Sequence, residues 1–274
     1  MSKLAVLGGG NLGRALALGW VGAGRCLPSD IQITRRQSER LDDLRQAGFV
    51  TGSDNVAAVS GCDILVVAVQ PQQLDVLLDE ITPALEEGRH RLISVVSGAT
   101  IAQIREAVGP AVPVVRAMPN TAVSIGESMT CLSAGDGSEE ALAEAQDLFD
   151  GVGRTLVIEE EMMVPATALC ACGVAFFLRC VRAASQGGIE IGFHPEEALL
   201  LAGQTARGAA ALSLKKDTHP EEEIDRVTTP RGCTIAGLNE MEHRGLSSAL
   251  IKGLIVSARA TKDLYSWGRS TSSS

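Results

Sequence analysis

The chain has 274 residues, with 24 basic against 33 acidic side chains (net charge −9), and is 45% hydrophobic, 21% charged and 3% aromatic. That length suits one large or two modest domains, and the composition excludes a disordered chain. An acidic protein without a basic stripe is a poor nucleic-acid binder, and so few aromatics exclude base-stacking platforms and aromatic cages.

The first half alternates strand and helix. Apolar runs predict strands at 4–7, 31–34, 64–69, 91–96, 113–117, 128–132 and 155–158, and apolar periodicity predicts helices at 11–23, 38–46, 72–85, 101–108 and 139–149. This alternation implies an α/β Rossmann-type doubly wound parallel sheet covered on both faces. The pattern changes near Glu159-Glu160-Glu161, where acidic residues suit a helix start. From there to about 264 the periodicity is helical, with breaks at Gly187-Gly188, Gly192-Phe193-His194-Pro195, His219-Pro220 and Gly245. Two domains follow: 1–159, binding a dinucleotide, and 160–274, all-α. The tail 270–274 is expected to fray.

The first strand begins at Lys3 with no basic, apolar or cleavage region before it, so no signal peptide is read. Seven cysteines at irregular spacing, with no CxxC pair, suit reduced thiols in the cytoplasm. His90, His194, His219 and His243 are scattered, so no metal site is expected. The apolar run 164–178 ends at Arg179, short of the ~20 residues a membrane span needs, so no membrane partner is expected. Seven of the ten residues in 166–175 are Ala, Cys or Gly. A helix that is small and apolar all round needs close neighbours on every side, which predicts burial in a dimer of interlocked helices.

Gly8-Gly9-Gly10-Asn11-Leu12-Gly13 fits G-x-G-x-x-G between a strand and a helix, where glycines let backbone approach a pyrophosphate and the helix N-terminus faces it. The second strand ends in Thr34-Arg35-Arg36 rather than an acid. Two guanidinium groups and a hydroxyl favour the 2′-phosphate of NADP, with NADH the second choice. Ala68-Val69-Gln70-Pro71, Ser97-Gly98 and Arg116-Ala117-Met118-Pro119-Asn120-Thr121 end further strands on the ligand side of such a sheet. Near the other end, Thr228-Thr229-Pro230-Arg231-Gly232-Cys233-Thr234 runs into an apolar-periodic helix. It offers backbone N–H groups and a hydroxyl to an anion.

The glycine fingerprint, the Arg116–Thr121 string and the loop-helix from Thr228, in order and at suitable spacing, resemble pyrroline-5-carboxylate reductase over essentially the whole chain. The resemblance implies an NADP-binding Rossmann domain, a helical domain that interlocks two subunits, rings of dimers in many members, and reduction of 1-pyrroline-5-carboxylate to L-proline. It implies that Gly232, Cys233 and Thr234 bind the substrate carboxylate, that the Thr234 hydroxyl serves the imine nitrogen, and that Glu160 touches substrate. The expected cofactor contacts are Gly8, Gly10, Asn11, Leu12, Gly13, Thr34, Arg35, Arg36, Asn55, Ala68, Val69, Gln70, Pro71, Ser97, Met118 and Asn120.

Four departures stand out. Cys170-Ala171-Cys172-Gly173-Val174-Ala175-Phe176 replaces a Ser-Gly-Ser-Gly-Pro-Ala-Tyr start. Gln70 stands for a common lysine, Arg226 for an asparagine, and Arg231-Gly232 for a Gly-Gly pair. The rival readings are a reductase of another cyclic imine acid and a non-catalytic NADP-binding protein of the same fold. A 3-hydroxyacid dehydrogenase would need a catalytic lysine early in the helical domain, and none occurs between Lys3 and Lys215.

Overall fold

The computed structural model describes residues 2–215, 219–262 and 264–265; the tail 270–274 lies outside them. The chain forms two compact units, Met1–Cys172 with Ser257–Ser274, and Gly173–Val256. They part after Cys172, not at 159/160, because the start of the long helix belongs with the sheet. Met163 is buried there against Met118 and Cys131.

In the first unit the elements follow in the order β1 (Leu4–Leu7), α1 (Asn11–Gly22), β2 (Ile31–Thr34), α2 (Asp42–Gln46), β3 (Val50–Gly52), α3 (Asn55–Gly61), β4 (Ile64–Val67), α4 (Leu74–Ile81), β5 (Arg91–Ser94), α5 (Ile101–Val108), β6 (Val114–Met118), β7 (Ser128–Ala134), α6 (Glu139–Asp150), β8 (Gly153–Val157) and α7 (Met163–Ala166). The eight strands make one sheet in the order β3-β2-β1-β4-β5-β6-β7-β8. The order reverses between β1 and β4, the switch point where such sheets bind ligands. β4 and β5 stop at Val67 and Ser94, sooner than their apolar runs suggest, which leaves Ala68–Gln70 and Ser97 as loop.

The all-parallel expectation is corrected at one pair. β7 runs antiparallel to β6, with Ala117 opposite Leu132. The two are joined through the 3-10 turn Thr121–Ile125 instead of a crossover helix, and a link that short returns the chain antiparallel.

Both faces of the sheet are buried, which is why its central strands read as unbroken apolar runs. Leu4 and Val6 face one core with Leu16 and Trp20 of α1 and Leu148 and Phe149 of α6. Ala5 and Leu7, one residue out of phase, face the other with α3, α4 and α5. Trp20 and Phe149 meet edge to face at 5.7 Å and 76°, locking α1 to α6. Removing either ring is worth about 3–5 kcal/mol.

The second unit holds α8 (Gly173–Glu190), α9 (Pro195–Ser213), α10 (Pro220–Val227), α11 (Cys233–His243) and the first part of α12 (Leu246–Lys262). Gly187-Gly188 does not break α8. A Cβ on Gly188 would lie 3.1 Å from Ala198 Cβ, so glycine sits there to let α9 approach. Before α8, Thr167–Cys172 is π-helical, and the helical run extends from Glu160 to Glu190, 31 residues. That run is long and apolar enough to cross a membrane by length and composition, which corrects the exclusion drawn from 164–178. Ending the count at Arg179 underestimates a helix that tolerates the cation and continues. Among the described residues of this unit, only Gly173, Ser185 and Ala198 are buried, whereas Ile191 and Leu200 are 78% and 72% exposed. A single chain leaves this unit's apolar surface largely uncovered.

Candidate functional site

The glycine loop forms the floor of a cavity of ≈ 570 Å³ at the carboxyl ends of β1, β2 and β4. Gly8 has φ +118, and a Cβ on it would lie 2.5 Å from the Ala68 carbonyl oxygen. Gly9 N–H donates to the Thr34 carbonyl at 2.7 Å, tying the loop to β2. Gly13 presses the first turn of α1 onto the loop, since a Cβ there would lie 2.2 Å from the Gly8 oxygen. Gly10 differs. It is the N-cap of α1, and a Cβ on it would meet nothing within 4 Å. The first N–H groups of α1, at Asn11, Leu12 and Gly13, have no partner within the helix, as at any helix start.

Thr34, Arg35, Arg36, Asn55, Ala68, Val69 and Gln70 line the same cavity, together with Gly9, Gln37 and Gln73, which the sequence reading leaves out. Arg35 Nη1 donates to the Gly9 carbonyl at 3.0 Å, while Arg36 is exposed and has no ion pair among the described residues. The Thr34 hydroxyl donates to Asn55 Oδ1 at 2.6 Å, and Asn55 Nδ2 donates to Glu80 Oε2 at 3.0 Å. The lining therefore holds two cations and no carboxylate. A dinucleotide phosphate fits this donor set: open backbone at Gly10, free N–H groups at a helix start, and guanidinium groups at the β2 end.

The remaining expected cofactor residues, Asn11, Leu12 and Gly13 at the start of α1 among them, lie off this lining. Pro71 opens a 3-10 turn before α4, and Ser97 sits in the loop after β5. Met118 is buried against Cys131 and Met163. Asn120 Oδ1 accepts from Ala122 N–H at 2.9 Å, and Asn120 Nδ2 donates to the Cys170 carbonyl at 3.2 Å, so its amide holds structure together. Glu160 is likewise engaged. Its Oε1 accepts from Arg116 Nη1 at 3.0 Å and from Ile101 N–H, the first residue of α5, at 2.6 Å. Arg116 is a buried cation, and Glu160 is its carboxylate. Close by, Cys131 and Cys170 lie 3.9 Å apart. The contact with the Cys131 thiol holds Cys170 below the ordinary thiol range, while the same contact and burial push Cys131 up.

In the second unit, Thr229, Pro230, Arg231 and Gly232 form a tight turn closed by Gly232 N–H to the Thr229 carbonyl at 2.9 Å. Proline at the second position and a positive φ at the third are the marks of a type II turn. The third residue is Arg231, with φ 58, the one non-glycine at positive φ among the described residues. That explains the Gly-Gly pair the resemblance implies: glycine suits this backbone and arginine strains it, by about 1 kcal/mol. Gly232 admits no side chain, since a Cβ would lie 2.4 Å from Thr229 Oγ1. Gly232 caps α11 with no side-chain hydrogen bond, so Thr234 stands inside the first turn and is not the cap. Its half-buried hydroxyl has no partner among the described residues. The N–H groups of Cys233 and Thr234 and this hydroxyl point to an anionic or polar ligand at a helix start, whereas the Gly232 N–H expected to serve the same anion is spent on the Thr229 carbonyl.

A doubly wound sheet with a glycine-floored, cationic phosphate cavity defines a dinucleotide-dependent oxidoreductase. A family model described as NADP oxidoreductase, coenzyme F420-dependent, matches residues 3–98, and one described as pyrroline-5-carboxylate reductase dimerisation matches 160–264. The chain is 48% identical over 272 residues to pyrroline-5-carboxylate reductase 2 of Dictyostelium discoideum, covering 93% of this chain and 91% of that protein. It is 49% identical to pyrroline-5-carboxylate reductase 1 of the same organism, covering 96% of this chain but 50% of that relative, so it spans half that protein's length. Among solved structures, the pyrroline carboxylate reductase of Plasmodium falciparum, with NADP bound, has a TM-score of 0.88 at 25% identity, covering 96% of this chain and 98% of that one. The Coxiella burnetii pyrroline-5-carboxylate reductase has a TM-score of 0.85 at 29% identity, covering 96% and 98%. The chain belongs to the pyrroline-5-carboxylate reductase family.

Proposed function

We propose that this protein reduces 1-pyrroline-5-carboxylate to L-proline with NADPH, the last reaction of proline synthesis. The observation that carries the reading is the turn at Gly232, Cys233 and Thr234, in a chain of this family. Cys233 and Thr234 offer N–H donors for a carboxylate at the start of α11, Gly232 leaves the approach clear of a side chain, and Thr234 adds a hydroxyl for a ring nitrogen. Bound NADPH supplies the hydride. The Gly10 backbone and the α1 N–H groups hold the pyrophosphate, and Arg35 and Arg36 take the 2′-phosphate. The N–H groups at the start of α11 fix the substrate carboxylate, so the imine nitrogen meets the Thr234 hydroxyl. Hydride adds to the imine carbon and the nitrogen retains a proton, giving the secondary amine. The electrophile arrives protonated, so positioning supplies most of the rate and no strong acid is required.

The working unit is a homodimer built through 160–264. The exposed apolar residues of the second unit and the match of the dimerisation family to this segment support that assembly. The free state of all seven cysteines supports a reducing, cytoplasmic setting. Loss of NADPH absorbance tests the reaction, measured with 1-pyrroline-5-carboxylate and with its six-membered-ring homologue. The five-membered ring is expected to be preferred, and Thr234→Ala to lower kcat/KM about 10- to 100-fold without changing the NADPH Kd. Preference for the larger ring would move the protein to another imine acid. An unimpaired Thr234→Ala would remove that residue from the chemistry.

A further inference from the structure

Tyr265 is the only tyrosine in the chain. It is 3% exposed and belongs to the core on the α4 and α5 side of the sheet. Its hydroxyl donates to Asp75 Oδ1 in the first turn of α4. Its backbone lies against Gly98: a Cβ on Gly98, which has φ +90, would be 3.0 Å from Tyr265 N and 3.1 Å from Tyr265 Cβ. One residue therefore ties the first turn of α4, which the loop after β4 enters, to the loop after β5. The first loop leaves β4 through Gln70 and Gln73, both lining the dinucleotide cavity, and leads into α4. The second leaves the neighbouring parallel strand β5 through Ser97 and Gly98. Both loops lie at the carboxyl edge of the sheet, on the far side of β1 from Thr34, Arg35 and Arg36.

We propose that Tyr265 is a positioning residue for the nicotinamide half of the cofactor, holding the α4 start, and with it the end of the β4 loop, in register with the β5 loop. The proposal rests on the reading that the cavity holds NADPH. In a dinucleotide that starts at the β2 end and crosses the glycine loop, the nicotinamide must sit against the β4 and β5 loops, while the 2′-phosphate end stays with Arg35 and Arg36. The clamp acts on one half and leaves the other alone. The phenol-to-carboxylate hydrogen bond is charge-assisted, and loops held by it lose their alignment when it is removed.

The test compares two ligands on the intact protein: NADPH, and 2′-phospho-ADP-ribose, which lacks the nicotinamide ring. Tyr265→Phe and Asp75→Ala are each expected to raise the NADPH Kd about tenfold. Each should shift the Kd for 2′-phospho-ADP-ribose by less than about twofold. The double variant should be no worse than either single one, as expected for two members of one contact. Variants that weaken both ligands equally mark a general structural role and overturn the proposal, and so do variants that weaken neither. The readout is binding, so a wild-type protein without imine turnover would refute the proposed substrate while the Kd comparison still decides the clamp.

Discussion

Gly10→Ala separates the two jobs of the glycine loop. The residue has φ −80 and ψ −165, ordinary for alanine, and its Cβ would meet nothing within 4 Å. Stability gains about 0.4–1 kcal/mol from the stiffer unfolded chain and loses a similar amount because alanine is a poor N-cap. The melting temperature should therefore move by less than about 3 °C. Cofactor binding should not survive so well. The new methyl projects into the open space over the glycine floor, where backbone would approach the pyrophosphate. Pushing that group back removes at least one charge-assisted hydrogen bond, about 1.5–3 kcal/mol, so the NADPH Kd should rise about 10- to 100-fold. Gly13→Ala is the contrast. Its Cβ would lie 2.2 Å from the Gly8 oxygen, so the first turn of α1 must move by about an ångström, and both melting temperature and affinity should fall. Thermal melts and NADPH fluorescence titrations on the two variants decide the matter. A Gly10→Ala protein that melts normally and keeps its NADPH affinity would refute the assignment of this cavity to the pyrophosphate.

Other expectations follow from the same geometry. Arg36→Ala should raise the NADPH Kd about tenfold and leave the NADH Kd unchanged, measured by titration with each cofactor; equal effects would remove the 2′-phosphate role. Glu160→Ala strands the buried Arg116 and the Ile101 N–H, and calorimetry should show a loss of about 2–3 kcal/mol, smaller for Glu160→Gln. An unchanged melt with a raised substrate KM would instead make Glu160 a substrate contact. Cys170 is held below the ordinary thiol range by the Cys131 thiol, so its alkylation should reach its plateau at a lower pH than that of an ordinary cysteine. Removing the donor by Cys131→Ala should move the midpoint up toward the ordinary thiol range, as mapped by peptide mass spectrometry. An unmoved midpoint would contradict the pairing.

How much of this was legible in the residues depended on whether a feature is local. The buried parallel strands announce themselves as unbroken runs such as Ile64 to Val67, because both of their faces are covered. The glycine loop and the Thr34-Arg35-Arg36 end are contiguous, and both line the cavity. The short edge strand β3 and α3 escape, since three half-exposed residues and a seven-residue helix leave little periodicity. Asp54, which caps α3 by accepting from Ala57 N–H, was the available signal. The direction of β7 depends on how its link is routed, which no residue in the strand encodes. Arg231 reads in the sequence only as an interruption of a glycine pair, and the backbone at φ 58 supplies the reason glycine suits that position. Tyr265 and Gly98 are 167 positions apart, so nothing local could join them.

The most direct test of the central claim follows the hydride. NADPH deuterated on its transferable face is incubated with 1-pyrroline-5-carboxylate and the protein, and the product is analysed by mass spectrometry and NMR. The account predicts L-proline carrying one deuterium at the former imine carbon, formed in equal amount to the NADPH consumed. A protein that binds NADPH yet yields no deuterated proline would contradict it.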